Sequence, residues 1–196
     1  MKKSILFFST ILLALSVQAQ WSTMQLSQPR AFPGVASADG KLFVAGGYVN
    51  TLTGETSNRI DIYNTNTLSW SQDSLKYSRG DINVQLLNNK LYFCGGTGAM
   101  GASKVVEVYN LQTNLWSLDS LIEPQTSSAS VVVGNKILVA GSISNDFSTT
   151  SKLVSVFNGA TGTWTRDSLS IPRVSAIAGS VHNLALIAGG FGGAPD

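Results

Sequence analysis

The chain of 196 residues is 43% hydrophobic but only 12% charged, and its 13 basic and 11 acidic residues nearly cancel. That balance gives no electrostatic case for nucleic acid or an anionic membrane as partner. A single cysteine, Cys94, excludes an internal disulfide, and one cysteine with one histidine, His182, does not make a zinc site.

The chain opens with Lys2 and Lys3, an apolar run from Ile5 to Val17, and the small-residue cleavage pattern Val17-Gln18-Ala19. The run is too short to span a bilayer, so residues 1–19 read as a secretory signal peptide cut after Ala19 or Gln20. The expected location is secreted, periplasmic or extracellular. No later stretch is apolar enough to cross a membrane as a helix, so no span is expected in the mature chain.

Beyond the signal the sequence repeats. Gly46-Gly47, Gly95-Gly96, Gly141-Ser142 and Gly189-Gly190 mark one position four times, at spacings of 49, 46 and 48 residues. Sixteen residues before each stands Arg30, Arg79, Gln125 or Arg173. Asp39-Gly40, Asn88-Asn89, Gly134-Asn135 and His182-Asn183 supply two-residue hairpin chemistry, tolerant of positive φ.

In chain order, Trp21–Leu26 reads as a fourth strand without the strands that should precede it. Strand one of each unit then runs from about Val35, Ile82, Ala129 or Ser175 to the turn. The second strand is KLFVA, KLYFC, KILVA or LALIA, nearly continuous apolar runs that suit a strand buried on both faces. Strand three is RIDIYN, VVEVYN or LVSVFN, and strand four starts at Trp70, Trp116 or Trp164. The interval from the strand-three aromatic (Tyr63, Tyr109, Phe157) to the Trp is always seven residues. Only the stretch between strands two and three varies. Fixed intervals imply packed register and the variable one a solvent-facing loop.

Four strands per unit, a period just under fifty, and the marks Arg30, Gly46-Gly47, Tyr63, Trp70, then Arg79, Gly95-Gly96, Tyr109, Trp116, then Gly141, Phe157, Trp164, then Arg173 and Gly189-Gly190 resemble the kelch repeat. The departures, Gln125, Ser142 and Phe157, all fall in the third unit. The resemblance implies an all-β fold, a partial kelch-type β-propeller. It comprises complete four-stranded blades at 30–75, 79–121 and 125–169, half of a fourth at 173–196, and the leading strand at 21–26, with 20–196 as one incomplete domain. The tryptophans are expected to fill the wedge between blades, and the glycine pairs to let backbones approach. The end of the chain inside a fourth repeat reads as a fragment of a longer protein of about five to seven blades, or as half of a ring that two chains complete.

Chemistry is sparse. His182 reads as a surface turn residue and Cys94 as an inert core thiol, at a position held elsewhere by Ala45, Ala140 and Ala188. Asp73, Asp119 and Asp167, three residues past each Trp, read as local turn acceptors. No catalytic set, metal site or cofactor is expected. Arg30, Arg79 and Arg173 fall on the rim that carries the variable loops, because connections after strands two and four leave the same edge. There they form a candidate basic ring for carboxylates or other anions; the alternative is pairing with local carbonyls or a neighbouring acid. In the variable loops the residues richest in possible contacts are Tyr48, Asn50, Asn145, Asp146 and Phe147. The leading functional expectation is a secreted non-catalytic module binding a protein or a glycan through rim loops. The alternative, also implied by the resemblance, is the propeller part of a carbohydrate-active enzyme, a sugar oxidase or sialic-acid epimerase-like protein, with its catalytic residues outside this stretch.

Overall fold

The computed structural model describes residues 23–146 and 148–192. The signal segment, Trp21 and Phe147 lie outside the described residues. Turn chemistry sets the first hairpin of every unit. Strand β1 (Gly34–Ala38) meets β2 (Lys41–Ala45) across Asp39 and Gly40, whose φ angles are 50° and 65°. Between β7 (Asn83–Leu87) and β8 (Lys90–Cys94), Asn88 and Asn89 adopt 50° and 57°. Gly134 and His182 take positive φ at the equivalent turns. These are residues that reach the left-handed region cheaply, and the paired positive angles match the twist of the flanking strands.

Three antiparallel four-stranded sheets result. The first has the order β1-β2-β5-β6, with β5 (Arg59–Asn64) and β6 (Ser69–Ser74). The second comprises β7, β8, β11 (Val105–Asn110) and β12 (Leu115–Ser120), in that spatial order. The third runs β13 (Ala129–Val133), β14 (Lys136–Ile143), β15 (Thr150–Asn158) and β16 (Thr163–Arg173). A fourth unit contributes the hairpin of β17 (Ile177–Val181) and β18 (Leu184–Ala188). Two variable loops fold into small ribbons, β3 (Tyr48–Asn50) with β4 (Glu55–Thr56) and β9 (Thr97–Gly98) with β10 (Gly101–Ala102). In the third unit β14 and β15 themselves extend into the loop. The described residues contain no helix, hence none long and apolar enough to cross a membrane.

Strand four begins one residue before each Trp, and β16 continues past its expected end to Arg173. The expected leading strand is not found in residues 23–26, which pair with no strand among the described residues. A strand is held by its neighbour's backbone; just after this segment the chain is met by side chains, Ser57 Oγ to Gln28 Oε1 at 3.2 Å and Arg59 Nη1 to Ser27 Oγ at 3.4 Å.

The core lies between blades. Side chains alternate along a strand, so the second strand of each blade serves two seams. In β8, Leu91 and Phe93 enter the seam with the first blade, while Tyr92 and Cys94 enter the seam with the third. All four are buried, which explains a strand without polar alternation. Within each blade the recurring aromatic stacks on its Trp, with ring centroids 5.0 Å (Tyr63–Trp70), 4.9 Å (Tyr109–Trp116) and 5.1 Å (Phe157–Trp164) apart. Trp116 and Trp164 fill the seams as expected. Trp70, on the outer face of the first blade, remains exposed.

The repeated aspartates do more than local work. Asp73 Oδ1 accepts from the Ser74 amide at 2.7 Å, and its Oδ2 accepts from Trp116 Nε1 of the next blade at 3.1 Å. Asp119 repeats the arrangement with Ser120 N and Trp164 Nε1, at 2.7 and 2.9 Å. Each carboxylate thus clamps one blade to the next. Adjacent blades are also joined from β7 to the β13 region by Asn83 Nδ2 to Ser128 Oγ (2.8 Å), just before β13, and Gln85 Nε2 to Ser130 Oγ (2.7 Å).

Candidate functional site

The glycine pairs create the site by bringing neighbouring backbones together. The Gly47 amide donates to Arg79 O, and the Gly96 amide to Gln125 O, both at 2.9 Å. Gly46 and Gly95, the first glycines of their pairs, both have φ of +62°, and a Cβ there would sit 2.3 Å from Arg79 O at Gly46 or 2.4 Å from Gln125 O at Gly95. Only glycine satisfies both the angle and the space.

Two residues beyond each Arg or Gln position the chain turns again. Phe32, Asp81, Ser127 and Ser175 all adopt the left-handed region, with φ of 49°, 51°, 48° and 54°. For a non-glycine residue this conformation costs about 1–3 kcal/mol, and for phenylalanine it is an outlier. Neighbouring blades hold two of these corners directly: Asp81 N donates to Phe32 O at 3.1 Å and Ser175 N to Ser127 O at 2.7 Å. The four corners converge on one open cleft of about 1050 Å³. One wall is the β3–β4 ribbon with Tyr48 and Glu55; Asn83, Thr97 and Ser128 complete the floor.

Tyr48 is fixed because Gly80 leaves room for its ring; a Cβ on Gly80 would approach the ring to 2.4 Å. Its hydroxyl donates to Asp81 Oδ2 at 3.2 Å, and Ser127 Oγ reaches the same oxygen at 3.4 Å. The Phe32 ring meets Tyr48 edge-on, with centroids 6.2 Å apart and planes at 85°. Burial raises the Asp81 carboxyl above its ordinary range, opposed by the bonds from Tyr48 and Ser127. Burial likewise raises the Tyr48 phenol.

Of the residues expected from sequence, Tyr48 lines this cleft. The arginines do not form a ring facing a ligand, which corrects that expectation. Arg30 is buried against Asp61 and donates to Arg59 O at 2.6 Å. Arg79 is buried, with Nη2 on Glu107 Oε1 at 2.9 Å and Nη1 on Val105 O at 3.0 Å. Arg173 Nη1 donates to Gly189 O at 2.7 Å. The position is right for the rim, but the guanidinium turns inward to satisfy carbonyls that the glycine pairs leave open. Gln125 does the same through Nε2 on Gly141 O at 3.0 Å, and Ser155 Oγ donates to its Oε1 at 2.5 Å.

Asn50 and Asp146 organise their own loops. Asn50 Oδ1 accepts from Leu52 N at 2.9 Å. Asp146 Oδ1 accepts from Ser144 and Ser148, which holds its carboxyl down at about 2. Asn145 braces the second blade's loop through Oδ1, which accepts from Ala102 N at 2.7 Å. Phe147 lies outside the described residues. Sequence reading missed Phe32, Asp81, Ser127 and Ser175; the available signal was their shared offset from the Arg and Gln positions, hidden because only the two serines share a chemistry.

Comparison with known proteins agrees with this architecture. Kelch-motif family models match residues 29–73, 78–118 and 124–169. A solved structure titled "Structure of YjhT" superposes with a TM-score of 0.70 at 20% sequence identity, covering 84% of this chain and 60% of that one, a likeness of fold. This chain therefore spans less than two thirds of that structure's chain. No curated protein matches the sequence. Tandem kelch motifs over most of the described chain, each folded as a four-stranded blade packed on the next, make this chain a member of the kelch-repeat family.

Proposed function

We propose that this chain is a secreted, non-catalytic binding module that holds a partner in the rim cleft. Kelch repeats generally mediate protein binding, and a protein partner is the first reading here. One observation carries it: four repeat-equivalent residues, one from each blade, are held in a costly backbone conformation and open onto a single cleft. Strain of this kind gathers where a surface is preorganised for a ligand. The reading moves the contact surface from the arginines to Phe32, Tyr48 and Asp81. His182 on its turn and Cys94 in the core lie apart from the cleft, so neither supports an enzyme reading.

The test is capture of secreted and surface proteins, and of a glycan array, by the immobilised chain and by a Phe32→Ala variant. Phe32 is 65% exposed, so the variant keeps the fold. A ligand retained by the native chain and lost by the variant is expected. Equal capture by both overturns the assignment of the cleft.

A further inference from the structure

Charge at the cleft is one-sided. Its lining includes the carboxylates of Asp81 and Glu55 and no lysine, arginine or histidine. Asp81 is half-buried and, among the described residues, forms no salt bridge and accepts only from the hydroxyls of Tyr48 and Ser127, both on Oδ2. Oδ1 accepts no hydrogen bond among the described residues. Two aromatic rings, Phe32 and Tyr48, set edge to face, line the same cleft. A half-buried carboxylate without a counter-charge is costly, and a cleft that also holds aromatic rings favours a flat cation that can stack and donate together.

Resting on the binding role proposed above, we infer that the cleft receives an arginine side chain of a partner protein, its guanidinium donating to Asp81 Oδ1 and stacking on Phe32 or Tyr48. The same charges disfavour anionic ligands, so acidic sugars and acidic peptides are poor occupants. This reverses the anion preference that exposed arginines would have given the rim. A side chain is short enough to enter a cleft of this size while the partner's backbone rests against the β3–β4 ribbon.

The probes are three capped tripeptides: acetyl-Gly-Arg-Gly-amide, its citrulline analogue, which is uncharged and nearly isosteric, and the glutamate analogue. Each is titrated into the ¹⁵N-labelled chain while the amide signals of Asp81, Thr97 and Ser127 are followed by NMR. The arginine peptide should shift these signals in a saturable way, at least tenfold more tightly than citrulline, and glutamate should leave them unmoved. Asp81→Asn keeps the left-handed corner, because asparagine adopts it readily, and should lower arginine-peptide affinity at least tenfold. Equal binding of arginine and citrulline, no shift with either, or an unaffected Asp81→Asn variant overturns the inference. Saturable binding of cellotetraose at the same amides, without arginine binding, also overturns it and makes the ligand a neutral glycan. In each of those outcomes the binding role stands if Phe32→Ala still abolishes capture, and falls if it does not.

Discussion

Arg79 is 1% exposed and its partner Glu107 is 2% exposed, so the pair lies within the second blade's own packing. Removing one partner strands a buried charge, and Arg79→Ala is expected to cost about 3 kcal/mol, near the lower end for such pairs because Lys76 N and Tyr77 N still serve Glu107. The third blade shows another solution at the same two positions, Gln125 with Ser155. The double variant Arg79→Gln with Glu107→Ser should therefore recover most of the loss, and urea midpoints of the singles and the double measure the coupling. Cys94 is fully buried, and its thiol is pushed from 9.0 up to about 12 by burial. Between those values the unfolded chain has released a proton that the folded chain keeps, so stability contributed here is complete below about pH 9 and falls as pH rises towards 12. The native chain should lose stability between pH 8 and 10.5 more steeply than Cys94→Ala, by at most about 1.4 kcal/mol per pH unit. Alanine is a fair reference, since it occupies this site in the other three units.

At the scale of strands and turns, the seams between blades carry the fold. Phe93 is fully buried and touches Trp116 across a centroid distance of 5.4 Å. Phe93→Ala should cost about 3–5 kcal/mol from lost burial and the cavity left behind. Trp164→Phe keeps the ring in its seam and removes only the bond to Asp119, an expected loss of about 1 kcal/mol in the same urea assay. Gly95→Ala attacks a different link, the approach of one blade's backbone to the next. The left-handed angle alone costs about 1–3 kcal/mol, and the Cβ contact with Gln125 O adds to it.

At the scale of the whole chain, protection is unequal. The β8 strand lies between sheets on both sides and β14 is buried against the second blade, whereas Ile177, Leu184 and Leu186 of the β17–β18 hairpin are 75%, 64% and 65% exposed. Amide exchange should be slowest in β8 and β14 and faster by orders of magnitude in β17 and β18. An equally protected hairpin would mean that its exposed face is covered in solution. The cleft also belongs to this scale, since Phe32, Asp81, Ser127 and Ser175 come from four successive units.

The sequence by itself determined the strands, the turns and the repeat. Period-two burial forbids a slip of register, and Asp-Gly, Asn-Asn and Gly-Asn specify hairpins through local sterics alone. The roles of Trp116 and the glycine pairs were legible for the same reason, because a stacking unit must present the same surface to each neighbour. What only the tertiary structure decided was direction and company. Parity put Arg79 on the correct rim, yet whether its guanidinium faced water or Glu107 depended on a carboxylate 28 residues away and on carbonyls left open by a glycine turn. That pairing had left a trace, Arg with Asp or Glu in two units and Gln with Ser in the third. The cleft left almost none, because backbone strain at Phe32 and Asp81 is imposed by the adjoining blade, and no local propensity records a neighbour's carbonyl.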